Sequence, residues 1–166
     1  DHISNGRLIL GIGAGWFERD YDDFGYEFGT AGSRLRDLRD SMPIIKERMT
    51  KEIPAPVRNP IPIMIGGGGE KVTLKITAEY ADLWNGFGPP ETWARKNGIL
   101  DDWCTEVGRN PDEIERTVSV NRDNDIPNNL DAYADAGATH FIVAMPVPIE
   151  ADKVEALVKW RDKVNS

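Results

Sequence analysis

Pro62-Ile63-Met64-Ile65-Gly66-Gly67-Gly68-Gly69-Glu70-Lys71-Val72-Thr73-Leu74 runs from branched apolar residues through four successive glycines into a stretch with Val72, Leu74, Ile76 and Ala78. The first part is short, apolar and bounded by proline and glycine, which is the pattern of a buried strand. The last part reads as a short helix starting near Glu70. Strand, glycine turn and helix make one βα unit, and the chain repeats that order on both sides.

Upstream, Arg7-Leu-Ile-Leu-Gly-Ile-Gly13 predicts a first strand buried on both faces. Leu35, Leu38, Met42, Ile45 and Met49 recur at spacings of three and four, giving a helix from about Ser33, which is placed to cap its start; Pro43 predicts a kink or an early break. Glu52 to Pro60 is a proline-rich extended connector. Downstream, Ala81 to Phe87 predicts a third strand, and Pro90 to about Val107 a helix with Trp93, Ile99, Leu100, Trp103 and Cys104 on one side and Gly108 as its C-cap. Asn110-Pro111 marks a turn and Ile114 to Val120 a fourth strand. A polar stretch, 121–129, then leads to a short helix over Leu130 to Ala136. His140 to Met145 is the fifth strand, and Ala151 to Val164 the closing helix, with Val154, Leu157, Val158 and Trp160 inward.

Short apolar strands alternating with helices imply an α/β fold with parallel pairing. Five such units fall short of the eight strands and about 250 residues of a closed (β/α)₈ barrel. The expectation is a single domain over residues 1–166, either an open sheet or a partial TIM-type barrel with about five of eight strands present. The 166 residues suffice for one core. Twenty Lys and Arg against 28 Asp and Glu give a net charge of −8, which argues against a phosphate-backbone grip on nucleic acid. Cys104 is the only cysteine, so neither a disulfide framework nor a thiolate-rich zinc site is available, and a reducing cytoplasm fits. No apolar run approaches the roughly 20 residues of a membrane span, and the opening residues lack the order of a signal peptide. The start in a polar turn without Met suggests an absent upstream part.

In parallel α/β folds ligands sit beyond the carboxyl ends of the strands, so three strand ends carry the candidate sites. Gly13, Ala14 and Gly15 end the first strand, where small residues permit close approach of a planar ligand that Trp16 and Glu18 would face; a crowded turn explains them equally well. Gly66, Gly67, Gly68, Gly69, Glu70, Lys71 and Thr73 lie between a strand and a helix, where free N–H groups and a helix N-terminus favour a phosphate over the alternative of a flexible turn, with Lys71 or Thr73 adding a side-chain contact. The spacing is neither that of a P-loop nor of a dinucleotide fingerprint. Trp84 and Asn85 end the third strand, suited to stacking on or bonding to a ring system, or in the case of Trp84 to filling the core. His2 and His140 read as structural. Cys104 reads as a buried inert thiol, and Ser4, Ser33, Ser41, Ser119 and Ser166 lack a nucleophile-elbow setting. No spacing supports a metal site. The acidic, aromatic stretch Trp16 to Phe28 suits a loop over a pocket mouth.

Taken together, Ile3 to Glu18, Phe24-Gly-Tyr-Glu-Phe28 with Arg34 and Leu38, Pro62 to Leu74, and Ala78-Glu-Tyr-Ala-Asp-Leu-Trp-Asn85 resemble the luciferase-like monooxygenase family, and most its branch dependent on the deazaflavin coenzyme F420. The resemblance implies a (β/α)₈ barrel with F420, or alternatively FMN, at the C-terminal face. Its phosphate would lie on the loop Gly66 to Thr73 and its ring between Gly13–Gly15 and Trp84–Asn85. It also implies hydride transfer or oxygen activation by the cofactor. The match begins at the turn before the family's fourth strand, so the first three strands and their acid/base groups are expected to be missing, and no catalytic residue is carried over. The connector between Met49 and Pro60 is also shorter than the family norm.

The function expected is that of a truncated F420-dependent oxidoreductase; the alternatives are an FMN-dependent monooxygenase or a non-catalytic remnant serving as a binding or structural module. The substrate is an unidentified small molecule, and neither nucleic acid nor membrane is an expected partner. Strands left without neighbours predict a homo-oligomer, a dimer or larger.

Overall fold

The computed structural model describes residues 1–120, 130–145 and 147–166. The polar stretch 121–129 read between the fourth strand and the next helix lies outside the described residues. Among the described residues, five parallel strands form one sheet in the order of the chain: β1 (Leu10–Ile12), β2 (Ile63–Gly66), β3 (Leu83–Gly86), β4 (Glu115–Val120) and β5 (His140–Val143). The helices are α1 (Glu18–Phe24), α2 (Ala31–Met49), α3 (Thr73–Tyr80), α4 (Pro90–Val107), α5 (Leu130–Asp135) and α6 (Ala151–Val164). None of them is long and apolar enough to cross a membrane.

Alternation along the strands assigns the two faces of the sheet. Ile63, Ile65, Trp84, Val118 and Val120 pack beneath the helices, all nearly inaccessible. The opposite face carries Gly11, Met64, Asn85, Thr117, Ser119 and Ile142, aligned by the register Gly11↔Met64, Gly66↔Asn85, Asn85↔Thr117 and Ser119↔Ile142. This face is partly open: Gly11 has no neighbour within 4 Å of a Cβ position and Ile142 is 40% exposed. The first strand is shorter than read, Leu10–Ile12, and it is half-buried on one face and exposed on the other, not buried on both.

Two apolar clusters fill the helix side. One joins Leu38, Met42 and Met49 of α2 to Ile63, Ile65 and Ile76; the other joins Trp93, Leu100 and Cys104 of α4 to Trp84, Val118, Leu130 and Tyr133. The face of α4 read from spacing is the face that packs. Its N-terminal end of the sheet is closed by polar side chains: buried Arg116 donates to Asn97 and Asp101 on α4, while Arg109 donates to the carbonyls of Ala78 and Ala81 at the end of α3. A cation there satisfies carbonyls that the helix leaves open.

Several local expectations change. The cap of α2 is Thr30, with Ser33 its reciprocal partner: Ser33 N–H donates to Thr30 Oγ1 (3.1 Å) and Thr30 N–H to Ser33 Oγ (2.9 Å). Helix α2 continues through Pro43 to Met49: Pro43 sits on the exposed side between buried Met42 and half-buried Ile45, and the carbonyl it leaves without its N–H donor belongs to exposed Arg39. Helix α3 starts at Thr73, three residues later than read. On α6 only Leu157 and Trp160 pack inward, Trp160 edge-on to Phe141 at 4.8 Å. Val154 and Val158 are 39% and 40% exposed, since a helix lying beside the edge strand β5 finds a surface for only half its apolar stripe.

Candidate functional site

Two glycine turns lie side by side at the carboxyl ends of β1 and β2. A Cβ on Gly13 would come within 3.3 Å of the Gly66 carbonyl oxygen, so the two turns touch. The second turn is tightly built. Gly67 has φ +135°, a conformation that side chains oppose, and a Cβ there would lie 3.0 Å from Thr73 Cγ2. A Cβ on Gly69 would lie 2.7 Å from Thr73 Oγ1, so the chain wraps around the first residue of α3.

Trp84 explains part of this shape. Its ring is fully buried on the helix side, stacked on Trp93 at 5.2 Å, and its Nε1 donates to the Gly67 carbonyl at 2.8 Å. It faces away from the open side of the sheet, so it acts as core and as an anchor for the glycine turn. Asn85 does point to the open face, where its Oδ1 accepts from Ser119 Oγ at 3.1 Å.

The backbone donors are left over. Gly67 N–H bonds to the Asn85 carbonyl and Leu74 N–H to the Gly69 carbonyl, while the N–H groups from Gly68 to Thr73 find no protein acceptor among the described residues. A run of unpaired amides at a helix start is an anion-binding arrangement.

Sequence reading offered Lys71 or Thr73 as the side-chain contact. Lys71 is exposed, and the cation folded onto the turn comes from α4: Lys96 lies so close that a Cβ on Gly68 would be 2.5 Å from its Nζ. Lys96 has no carboxylate partner within 4 Å among the described residues. No local motif announces it, because Lys96 reaches Gly68 from a helix, 28 positions along the chain. Glu70 is occupied differently: it accepts from Arg95 at 2.7 Å, which holds its carboxyl below the usual range, and its carbonyl accepts from Trp103 Nε1 at 2.7 Å.

The first turn has fewer supports. Gly13 and Gly15 are exposed and Ala14 packs half-buried on the α2 cluster. Trp16 is 84% exposed, and the segment that follows is the seven-residue α1, which buries no side chain. Arg34 on α2 reaches back to it, donating from Nε to the Gly15 carbonyl at 2.7 Å and from Nη1 to the Phe28 carbonyl at 3.1 Å.

The remaining titratable candidates lie away from the two glycine turns or are buried. His2 bonds to the Ala55 carbonyl (2.8 Å), and His140 lies 3.8 Å from Glu115. Cys104 is fully buried; burial pushes the thiol up and outweighs the opposing pull of Arg116 and Arg109. No His, Cys, Asp and Glu cluster among the described residues could hold a metal ion.

Solved structures share this architecture. The F420-dependent tetrahydromethanopterin reductase from Methanopyrus kandleri superposes with a TM-score of 0.68 at 15% identity, over 93% of this chain and 73% of that one. An F420-dependent secondary alcohol dehydrogenase, in complex with an F420–acetone adduct, gives 0.68 at 13% identity over 83% and 64%. Such low identity establishes the fold alone, a sheet consistent with part of a TIM-type barrel. Uncharacterized proteins of Mycobacterium tuberculosis and Mycobacterium bovis are 26% identical over 159 residues, covering 88% of this chain and 55% of theirs. The chain thus spans about half the length of the curated relatives it matches. Residues 1–122, which include both glycine turns, match the family model for luciferase-like monooxygenases, and the chain belongs to that family.

Proposed function

We propose that the chain is an F420-dependent oxidoreductase subunit, or the part of one that holds the cofactor's phosphate. The observation that carries this is the turn Gly66–Gly69, with the amides from Gly68 to Thr73 unpaired among the described residues and Lys96 folded onto it. These residues fit a phosphate monoester or diester: consecutive amides have no protein acceptor among the described residues, the glycines put no side chain over them, and Lys96, which pairs with no carboxylate among the described residues, lies against them. Asn85 and the exposed Gly13 and Gly15 would border the ring. Bound there, a deazaflavin supplies hydride transfer, and the protein's part is to bind and orient it. The F420-dependent enzymes that share the fold support the deazaflavin over FMN, although both carry a phosphate on a similar tail.

The reading includes a single domain over residues 1–166, a cytoplasmic location, an unidentified small-molecule substrate and self-association. Open residues on the inner face and two edge strands, β1 and β5, are features normally covered by a further chain or segment. Sedimentation at micromolar concentration is expected to show a dimer or larger species; a stable monomer contradicts this part.

Fluorescence titration of the purified chain with F420, repeated with FMN, tests the cofactor. Saturable micromolar F420 binding, abolished in Gly67→Val, is the expected result. Preferential binding of FMN moves the chain to the monooxygenase alternative, and failure of a folded chain to bind either leaves the non-catalytic module.

A further inference from the structure

We infer that Arg34 is a positioning residue that latches the turn after β1 and so sets the wall against which a ring would lie, an inference that rests on the cofactor reading above. Residues 13–29 leave the sheet at Gly15 (φ +67°), form α1, and return through Gly25 (φ +71°) and Gly29 (φ +62°) to the cap of α2. This segment buries no side chain in α1, and a cavity of about 540 Å³ separates it from α2. A segment so weakly packed needs a specific tether to keep one conformation.

Arg34 spans that gap. Its guanidinium donates to the Gly15 carbonyl at one end of the segment and to the Phe28 carbonyl at the other, with a longer contact to the Gly29 carbonyl at 3.5 Å. Its Cζ also lies 3.7 Å from the centre of the Phe28 ring. Phe28 in turn meets Tyr21 edge-on at 5.0 Å, and the Tyr21 hydroxyl sits so close to Gly15 that a Cβ there would be 2.1 Å away. Arg34, Gly15, Tyr21 and Phe28 therefore close a ring of contacts that ties both ends of the segment to α2. Only a planar, forked cation serves both carbonyls and stacks at once; an ammonium does not.

Arg34 itself contacts neither the open face nor the Gly66–Gly69 turn, so its loss separates ring placement from phosphate binding. Two variants test the inference: Arg34→Ala, and Phe28→Leu, which removes the stack while keeping the carbonyl. Amide hydrogen exchange on the cofactor-free chain is expected to rise at least tenfold over residues 15–29 in Arg34→Ala, and less in Phe28→Leu, with exchange in β2–β4 unchanged. In the F420 titration, inorganic phosphate is expected to compete equally well with wild type and Arg34→Ala, while the emission of bound F420 shifts toward that of the free cofactor. Arg34→Lys is expected to behave as Arg34→Ala.

Unchanged exchange over 15–29 in Arg34→Ala overturns the latch, as does full rescue by Arg34→Lys. Unchanged bound emission with raised exchange overturns the link to the ring. If wild type binds neither F420 nor FMN, the cofactor reading fails and the link to the ring falls with it, while exchange still decides whether Arg34 holds the segment.

Discussion

The turns after β1 and β2 are both rich in glycine and touch at Gly13 and Gly66, yet they are held in opposite ways. The β2 turn rests on the core: buried Trp84 grips its carbonyl, Thr73 fills its bend, and Lys96 and Trp103 reach it from α4. The β1 turn is tied through Arg34 to a segment that buries almost nothing. Glycine content alone therefore says little about rigidity; what decides is how many buried groups converge on the turn. A rigid cradle suits a phosphate, which needs fixed donors, whereas a tethered wall suits a ring that must enter and leave.

The largest expected effect comes from removing the core support. Trp84→Ala deletes a fully buried indole stacked on Trp93 and orphans the Gly67 carbonyl, and should cost about 3–5 kcal/mol, read by urea denaturation. Tyr21→Ala, the matching change beside the first turn, removes a half-buried ring and should cost less than about 1.5 kcal/mol. Equal losses at the two turns would break the contrast.

Next comes phosphate affinity, which isolates the cradle. Lys96→Ala removes a charge-assisted contact of about 1.5–3 kcal/mol, so inorganic phosphate or F420 should bind about 10- to 100-fold more weakly by titration calorimetry. Lys71→Ala removes an exposed charge and should change affinity less than about threefold. The reverse order would show that the cation comes from the loop itself and not from α4. Smaller again is Thr30→Ala, which takes away the side-chain half of the α2 capping box and should lower stability by about 1 kcal/mol in the same urea experiment.

Much of this was legible in the sequence. Strands flanked by glycine and proline, and the three- and four-residue spacing of α4, placed all five strands and the packed face of α4 because local pattern and tertiary burial agree there. Val154 and Val158 misled because periodicity records an apolar stripe, while burial depends on the surface available beside β5. Ser33 was read as the cap since the reciprocal Thr30–Ser33 pair lets either residue look like the start. At the candidate site, glycine spacing located both turns, but the direction of Trp84 and the arrival of Lys96 and Arg34 from neighbouring helices depend on how α2 and α4 lie on the sheet, which no local window contains.

The smallest effect is also the one that separates the two turns by chemistry. Arg95 bonds to the Glu70 carboxylate beside the cradle and lowers its pKa relative to the unfolded chain. A depressed carboxyl adds stability that is present above its unfolded pKa and lost as pH falls through the lower folded value. The Tm difference between wild type and Glu70→Gln should thus stay constant from pH 8 to 5, within about the range where carboxylates are ionised, and shrink only below it. It will be small, because both partners are about half exposed and salt screens them. At the other turn Arg34 donates to carbonyl oxygens, which do not titrate, so hydrogen exchange over residues 15–29 should keep the same protection factors across that acid range while the chain stays folded. Loosening of that segment in step with carboxylate protonation would mean that an acid of the segment, such as Asp23 paired with Arg19, shares in holding it, and that the two carbonyls on Arg34 do not suffice.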